Sequence, residues 1–327
     1  MSQTARISYG IVVVLFILIA ALHLGTFLLT ALLGYLALQA FAIRGSKPIS
    51  VTLYLVAVAV IGVGLIYFSN LAYRTLPRIA EISIPAMVAF AQKNGIELPF
   101  TDFESLKSTA LEQARDGFAV VGRYAGVASF QFVLVVAGLV VAVSVFLGSG
   151  WTADKLAPAA PENFYFAVTH ELTVRFKCLY QSFARVMGAQ ILISAINTVL
   201  TAGFLAFNSY PYAPLLTALV FLCGLLPIVG NIISNTLIVL VGFTISSRTG
   251  IYALIFLVVI HKLEYFLNSK IIGRRINSPM WLTLIGLLLG ERLAGIPGMI
   301  LAPVVLHYIK VEASAYPSLP AAGAEGA

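Results

Sequence analysis

Glu264 is the only acid in an apolar stretch running from about Ile251 to Leu267, and His261 and Asn268 stand three residues before and four after it. At helical spacing the three share one face. A carboxylate beside an imidazole inside hydrocarbon is a candidate relay for a proton or a cation, because an ionisable group at membrane depth is costly and marks function by default. Lys262 and Lys270 are close by, so the pattern also fits the interfacial end of a helix whose charges reach water. A second array, Gln190, Ser194, Asn197 and Thr201, recurs at spacings of four, three and four, which puts amides and hydroxyls in one stripe along one helix. Such a stripe must face protein or water. It can line a solute pathway, or it can join helices through hydrogen bonds worth about 0.6 kcal/mol each.

Backbone interruptions supply a third kind of chemistry. Pro227 has no amide hydrogen and Gly230 tolerates unusual dihedrals, so Leu225-Leu-Pro-Ile-Val-Gly-Asn231 should break a helix and free backbone groups at membrane depth. Asn231 and Asn235, one turn apart beyond the break, would face the same space. Gly295, Pro297 and Gly298 make a second interruption. Paired interruptions point to a binding site between half-helices, although a plain loop between two short spans also places Pro and Gly at such positions. Glu291-Arg292, just ahead of the second break, reads as structural or as a loop tip. No catalytic residue is assigned: the chain has no Gly-x-x-x-x-Gly-Lys-Ser/Thr, His-Glu-x-x-His or Gly-x-Ser-x-Gly sequence, and the expectation is a protein that is not an enzyme. Cys178 and Cys223 lack metal or redox spacing, so no metal and no cofactor is expected.

The elements that must position these residues are membrane helices. Of 327 residues, 60% are hydrophobic and 10% charged, and the mean hydropathy is +0.98. A soluble domain cannot carry that ratio, and the net charge of +7 does not imply nucleic acid, because the basic residues sit between apolar runs. Ile7 to Ile43 is free of Asp, Glu, Lys and Arg for 37 residues, about 55 Å as one helix and too long for one crossing of about 30 Å. A split near His23-Leu24-Gly25 gives two short helices. Ile49 to Leu71 and Ser129 to Gly148 read as single spans. Val186 to Ser247 has 62 residues without charge, enough for about three crossings, and Ile251 to Leu267 adds one more. Pro279 to Tyr308 is one span or a broken pair.

The expected architecture is therefore all-α, a polytopic integral membrane protein of about eight transmembrane helices with broken or re-entrant segments and a helical soluble arm. Residues 1–71 form the N-terminal transmembrane helices and 72–128 the arm, where six basic and six acidic residues gather. In the arm, Pro77 and Pro85 should bend the first helix, Asn94-Gly95 is a turn, and Thr101-Asp-Phe-Glu104 is a capping box that opens the second helix. Residues 129–148 form a transmembrane helix, and 149–188 a loop and an amphipathic surface helix. The apolar stripe of that helix is Leu172, Phe176, Leu179, Phe183 and Val186, with Lys177, Gln181 and Arg185 on another face. Residues 189–310 make the C-terminal transmembrane core and 311–327 a flexible tail. Basic residues at Arg6, Arg44, Lys47, Lys155, Arg175, Lys177, Arg185, Lys270, Arg274 and Arg275 place those loops in the cytoplasm and the arm outside.

The order of these features, with Gly224-Leu-Leu-Pro-Ile-Val-Gly-Asn231, Glu264-Tyr-Phe-Leu-Asn268-Ser-Lys-Ile-Ile-Gly273-Arg and Gly295-Ile-Pro-Gly298-Met-Ile-Leu-Ala302-Pro303, resembles the autoinducer-2 exporter family of membrane permeases. The C-terminal half carries the resemblance in its motifs, the N-terminal half in its layout. The resemblance implies a multi-pass transporter of the cell inner membrane that exports a small solute such as the quorum-sensing signal autoinducer-2, or exchanges cations for protons. A membrane scaffold without transport is a third reading. Expected partners are a small-molecule or ion substrate, the lipid bilayer and further copies of the chain in a homo-oligomer, with no nucleic acid.

Overall fold

The computed structural model describes residues 3–42, 46–95, 121–148, 163–226, 229–267 and 280–315. Among them there are nine helices and no strand: α1 (Gln3–Ala21), α2 (Gly25–Ala40), α3 (Lys47–Lys93), α4 (Val121–Leu147), α5 (Phe164–Phe207), α6 (Ala213–Gly224), α7 (Val229–Ile245), α8 (Ser247–Leu267) and α9 (Met280–Ser314). Five helices are long and apolar enough to cross a membrane, those over Gln3–Ala21, Lys47–Lys93, Ser129–Leu147, Phe164–Phe207 and Trp281–Ser314. Gly25–Ala40, Ala213–Gly224 and Gly230–Ile245 are apolar but shorter. In hydrocarbon every backbone amide must find its partner within the segment, which is why such a chain folds as helices throughout. The chain divides into two compact units, residues 1–39, 137–188 and 275–327, and residues 40–136 and 189–274, changing unit inside α4 and inside α5.

In the first unit the long uncharged run reverses at Leu22-His23-Leu24. His23 takes a left-handed φ of 53°, and the amide of Leu24 reaches back to the carbonyl of Ile19 at 2.8 Å. α9 reverses as well. Ala294 and Gly295 leave helical dihedrals, Gly295 with φ 62° and ψ −145°, a region open to glycine alone. The arms before and after lie side by side: the backbone of Gly290 meets that of Gly298, and Gly286 faces Leu306. The apolar segment is thus, over 280–308, a folded-back pair. Ala294 at its tip packs on Gly25, where an added Cβ would come within 2.6 Å of the alanine methyl.

The stripe Leu179, Phe183 and Val186 of α5 is buried in the core of this unit with Val12, Leu32, Leu301 and Val304. Helices of the same unit cover it. Arg175, on the neighbouring turn, is 5% exposed. Its guanidinium pairs with Glu171 at 2.9 Å and lies 4.3 Å over the ring of Tyr9, whose hydroxyl donates to Glu312 at 2.5 Å. α5 continues without interruption to Phe207, so the expected surface helix and the membrane helix after it are one element of 44 residues.

The second unit contains the whole of α3, a helix of 47 residues, about 70 Å long. It runs on through Pro77 and Pro85, ends at Asn94, and turns at Gly95 with φ 68°. The first half of the expected arm therefore extends a membrane span. The capping box at 101–104 lies outside the described residues. α7 and α8 are joined at Ser246, whose hydroxyl accepts from the amide of Thr249 at 3.0 Å and so caps α8. The core of this unit gathers Ile79, Leu205, Leu216, Ile238, Val241 and Ala253. Phe204 stacks on Phe256 with centroids 4.2 Å apart.

Candidate functional site

The second unit brings the polar stripe of α5, the α6–α7 reversal and the acid of α8 into one neighbourhood. α6 has only 12 residues, about 18 Å, and the last four carbonyls of any helix lack a partner within it. Two of these are taken by the stripe: Gln190 Nε2 donates to the carbonyl of Gly224 at 2.6 Å, and Ser194 Oγ to that of Phe221 at 2.8 Å. Side chains from α5 thus satisfy carbonyls that a helix ending in hydrocarbon would otherwise leave bare.

Beyond the break α7 starts tightly against α6. A Cβ at Gly230 would fall on the carbonyl of Cys223, so glycine is required there for close approach. Asn231, the next residue, donates from Nδ2 to Glu264 Oε2 of α8 at 2.5 Å. Hydrogen bonds to a charged group contribute about 1.5–3 kcal/mol. Asn235 is half-buried one turn later, while His261, one turn before Glu264, is exposed. Pro227 and Asn268 lie outside the described residues.

Asn197 and Thr201 continue the stripe at 5% and 3% exposure, and Asn197 Oδ1 is buried without a hydrogen-bond partner among the described residues. Ser234, between the two asparagines, is 1% exposed and donates to the carbonyl of Gly230 at 3.2 Å. The pattern of polar residues inside an apolar run could have found it. Gly295, Pro297 and Gly298 belong to the first unit, where they form the tip of α9, and Glu291 and Arg292 are exposed beside that tip. Among the described residues no three His, Cys, Asp or Glu side chains gather in a way that could hold a metal ion.

An all-helical chain with several membrane-crossing helices, broken half-helices and an amide–carboxylate pair at a break defines a polytopic membrane protein with a polar site. Comparison with known proteins specifies the class further. The AI-2E family transporter pattern matches residues 7–318, and the chain belongs to that family. It is 30% identical over 133 residues to a Bacillus subtilis (strain 168) protein named "Putative transport protein YdbI", a match covering 39% of this chain and 37% of the relative. A second protein of that organism, "Putative transport protein YueF", is 33% identical over 138 residues, covering 41% of this chain and 37% of the relative. The matched stretch thus spans little more than a third of either relative.

Proposed function

We propose that this chain is a transporter of the cell inner membrane that exports a small polar solute of the autoinducer-2 kind, through a site formed by Asn231, Asn235, Asn197 and Glu264. The contact that carries the reading is Asn231 to Glu264, which sets an amide and a carboxylate together at the start of a half-helix. Gln190 and Ser194 act as positioning residues. They hold the end of α6 so that the reversal presents Asn231 to Glu264. Thr201 extends the polar face of α5 along the same pathway, and Asn268, at helical spacing from Glu264, belongs to it by sequence. The chain would work as a homo-oligomer in the bilayer, with the soluble arm supporting assembly or gating.

Cation/proton exchange is the second reading, favoured by the single carboxylate at the site and by His261 one turn away. Proteoliposomes holding the purified chain and a trapped pH dye separate the two under imposed sodium, lithium or potassium gradients. Cation-evoked proton flux that is lost in Glu264→Gln selects exchange and gives His261 and Glu264 the coupling role. Flux of labelled autoinducer-2 without cation-evoked proton movement selects export. Neither flux from a folded, correctly inserted protein would leave the scaffold reading in place of transport.

A further inference from the structure

Two helices of the first unit leave their apolar runs at one place, and each leaves with a cation. Arg185 of α5 is the last charged side chain before the 62 uncharged residues that begin at Val186, and Lys310 of α9 is the first after Arg292. Packing brings these two ends together, because Phe183 and Val186 share a core with Val304 and Tyr308. Val304, His307 and Lys310 follow one another at spacings of three, so they form one line along α9. Val304 is fully buried, His307 is 3% exposed and Lys310 is half-buried. Arg185 is exposed, and its charge and that of Lys310 both act on the imidazole of His307.

Nothing of opposite sign stands with them. Among the described residues neither Arg185 nor Lys310 has an acidic partner, and Nδ1 of His307 is buried without a hydrogen-bond partner. The described carboxylates of this unit are placed elsewhere: Glu171 pairs with Arg175, Glu312 accepts from Tyr9, and Glu291 is exposed beside the tip of α9. Two like charges that converge repel unless an anion comes between them. Here both side chains can reach one, since neither is buried. The end of an apolar run is the depth at which hydrocarbon gives way to headgroups, and basic residues of neighbouring membrane helices bind lipid phosphates at that level. Arginine forks onto phosphate oxygens through two parallel hydrogen bonds, and lysine meets them as a point charge. A zwitterionic headgroup brings an ammonium of its own that offsets the attraction, so the pair suits a headgroup with net negative charge.

We propose that Arg185 and Lys310 together bind the phosphate of an anionic phospholipid where α5 and α9 leave the hydrocarbon. The proposal does not depend on which solute the chain carries. In the test, the purified full chain in detergent is titrated with phosphatidylglycerol or with phosphatidylcholine of the same acyl chains, and lipid-bound chain is counted by native mass spectrometry. The parent binds phosphatidylglycerol several-fold more tightly than phosphatidylcholine. Arg185→Gln and Lys310→Gln each weaken phosphatidylglycerol binding about fivefold and leave phosphatidylcholine binding unchanged. Arg248→Gln, which removes an exposed cation of the second unit, keeps the parent's preference. Elution volume and melting temperature without added lipid check folding, and either site variant serves if the other fails to fold. Equal binding of the two lipids by the parent, or a preference that survives both site substitutions, would overturn the proposal. An equal loss in Arg248→Gln would overturn it too, by showing an effect of net charge alone. Inorganic phosphate at the lipid's concentration leaves phosphatidylglycerol bound, and displacement of the lipid by that ion would overturn the choice of a headgroup over free phosphate.

Discussion

The reversal between α6 and α7 and the reversal inside α9 both occur where glycine and proline interrupt an apolar run, but they are completed differently. At the first, side chains of α5 reach the last carbonyls of α6, and Asn231 at the start of α7 meets a carboxylate of α8. At the second, backbone meets backbone at Gly290 and Gly298, and a methyl group of Ala294 fits against Gly25. The charged pair near that tip, Glu291-Arg292, is exposed. A glycine–proline break is thus an instruction to reverse, and it becomes a polar site only where neighbouring helices supply side chains.

Substitution at the two breaks can overturn this contrast. The largest effect is expected from Gly230→Ala and Gly298→Ala, since each new Cβ would overlap an opposed carbonyl and cost about 3 kcal/mol. Melting temperature and yield should fall in both; a Gly230→Ala protein that melts like the parent would show that α6 and α7 do not meet as described. Asn231→Leu comes next, because it leaves the Glu264 carboxylate without its amide donor, an expected loss of about 1.5–3 kcal/mol. Solute flux should drop with it by about tenfold or more, the equivalent of ~1.4 kcal/mol.

Smaller effects sharpen the division between positioning and site residues. Gln190→Leu and Ser194→Ala should each lower stability by about 0.6 kcal/mol and reduce flux less than Asn231→Leu does. Equal flux loss in all three would place Gln190 and Ser194 in the pathway itself. At the other reversal, Glu291→Gln should change stability by less than about 0.5 kcal/mol, as exposed substitutions do, and should leave flux at the parent's rate.

Local features were largely legible. Hydropathy placed the spans at 49–71 and 129–148, because transfer of a segment into hydrocarbon depends on its own side chains. Turn chemistry located the reversal at 22–24 and the breaks after Gly224 and before Gly298, because proline and glycine act on their own dihedrals. Helical spacing showed that Gln190 and Ser194 share a face. It gave no hint that this face serves the carbonyls of Gly224 and Phe221, 34 and 27 residues further on. The charge pattern places Arg175 in a loop near the membrane, whereas the structure buries it against Tyr9 and Glu171.

What the sequence determined by itself is a helical membrane chain, where its helices stop, and which faces are polar. Tertiary structure alone decided which polar face meets which broken end, that Asn231 finds Glu264, and that α9 folds back on itself. The physical reason is that lipid is as apolar as the side chains it surrounds, so hydrophobicity selects no partner between helices. Partner choice rests on close backbone approach and on hydrogen bonds between residues far apart in the chain, and no local pattern encodes either.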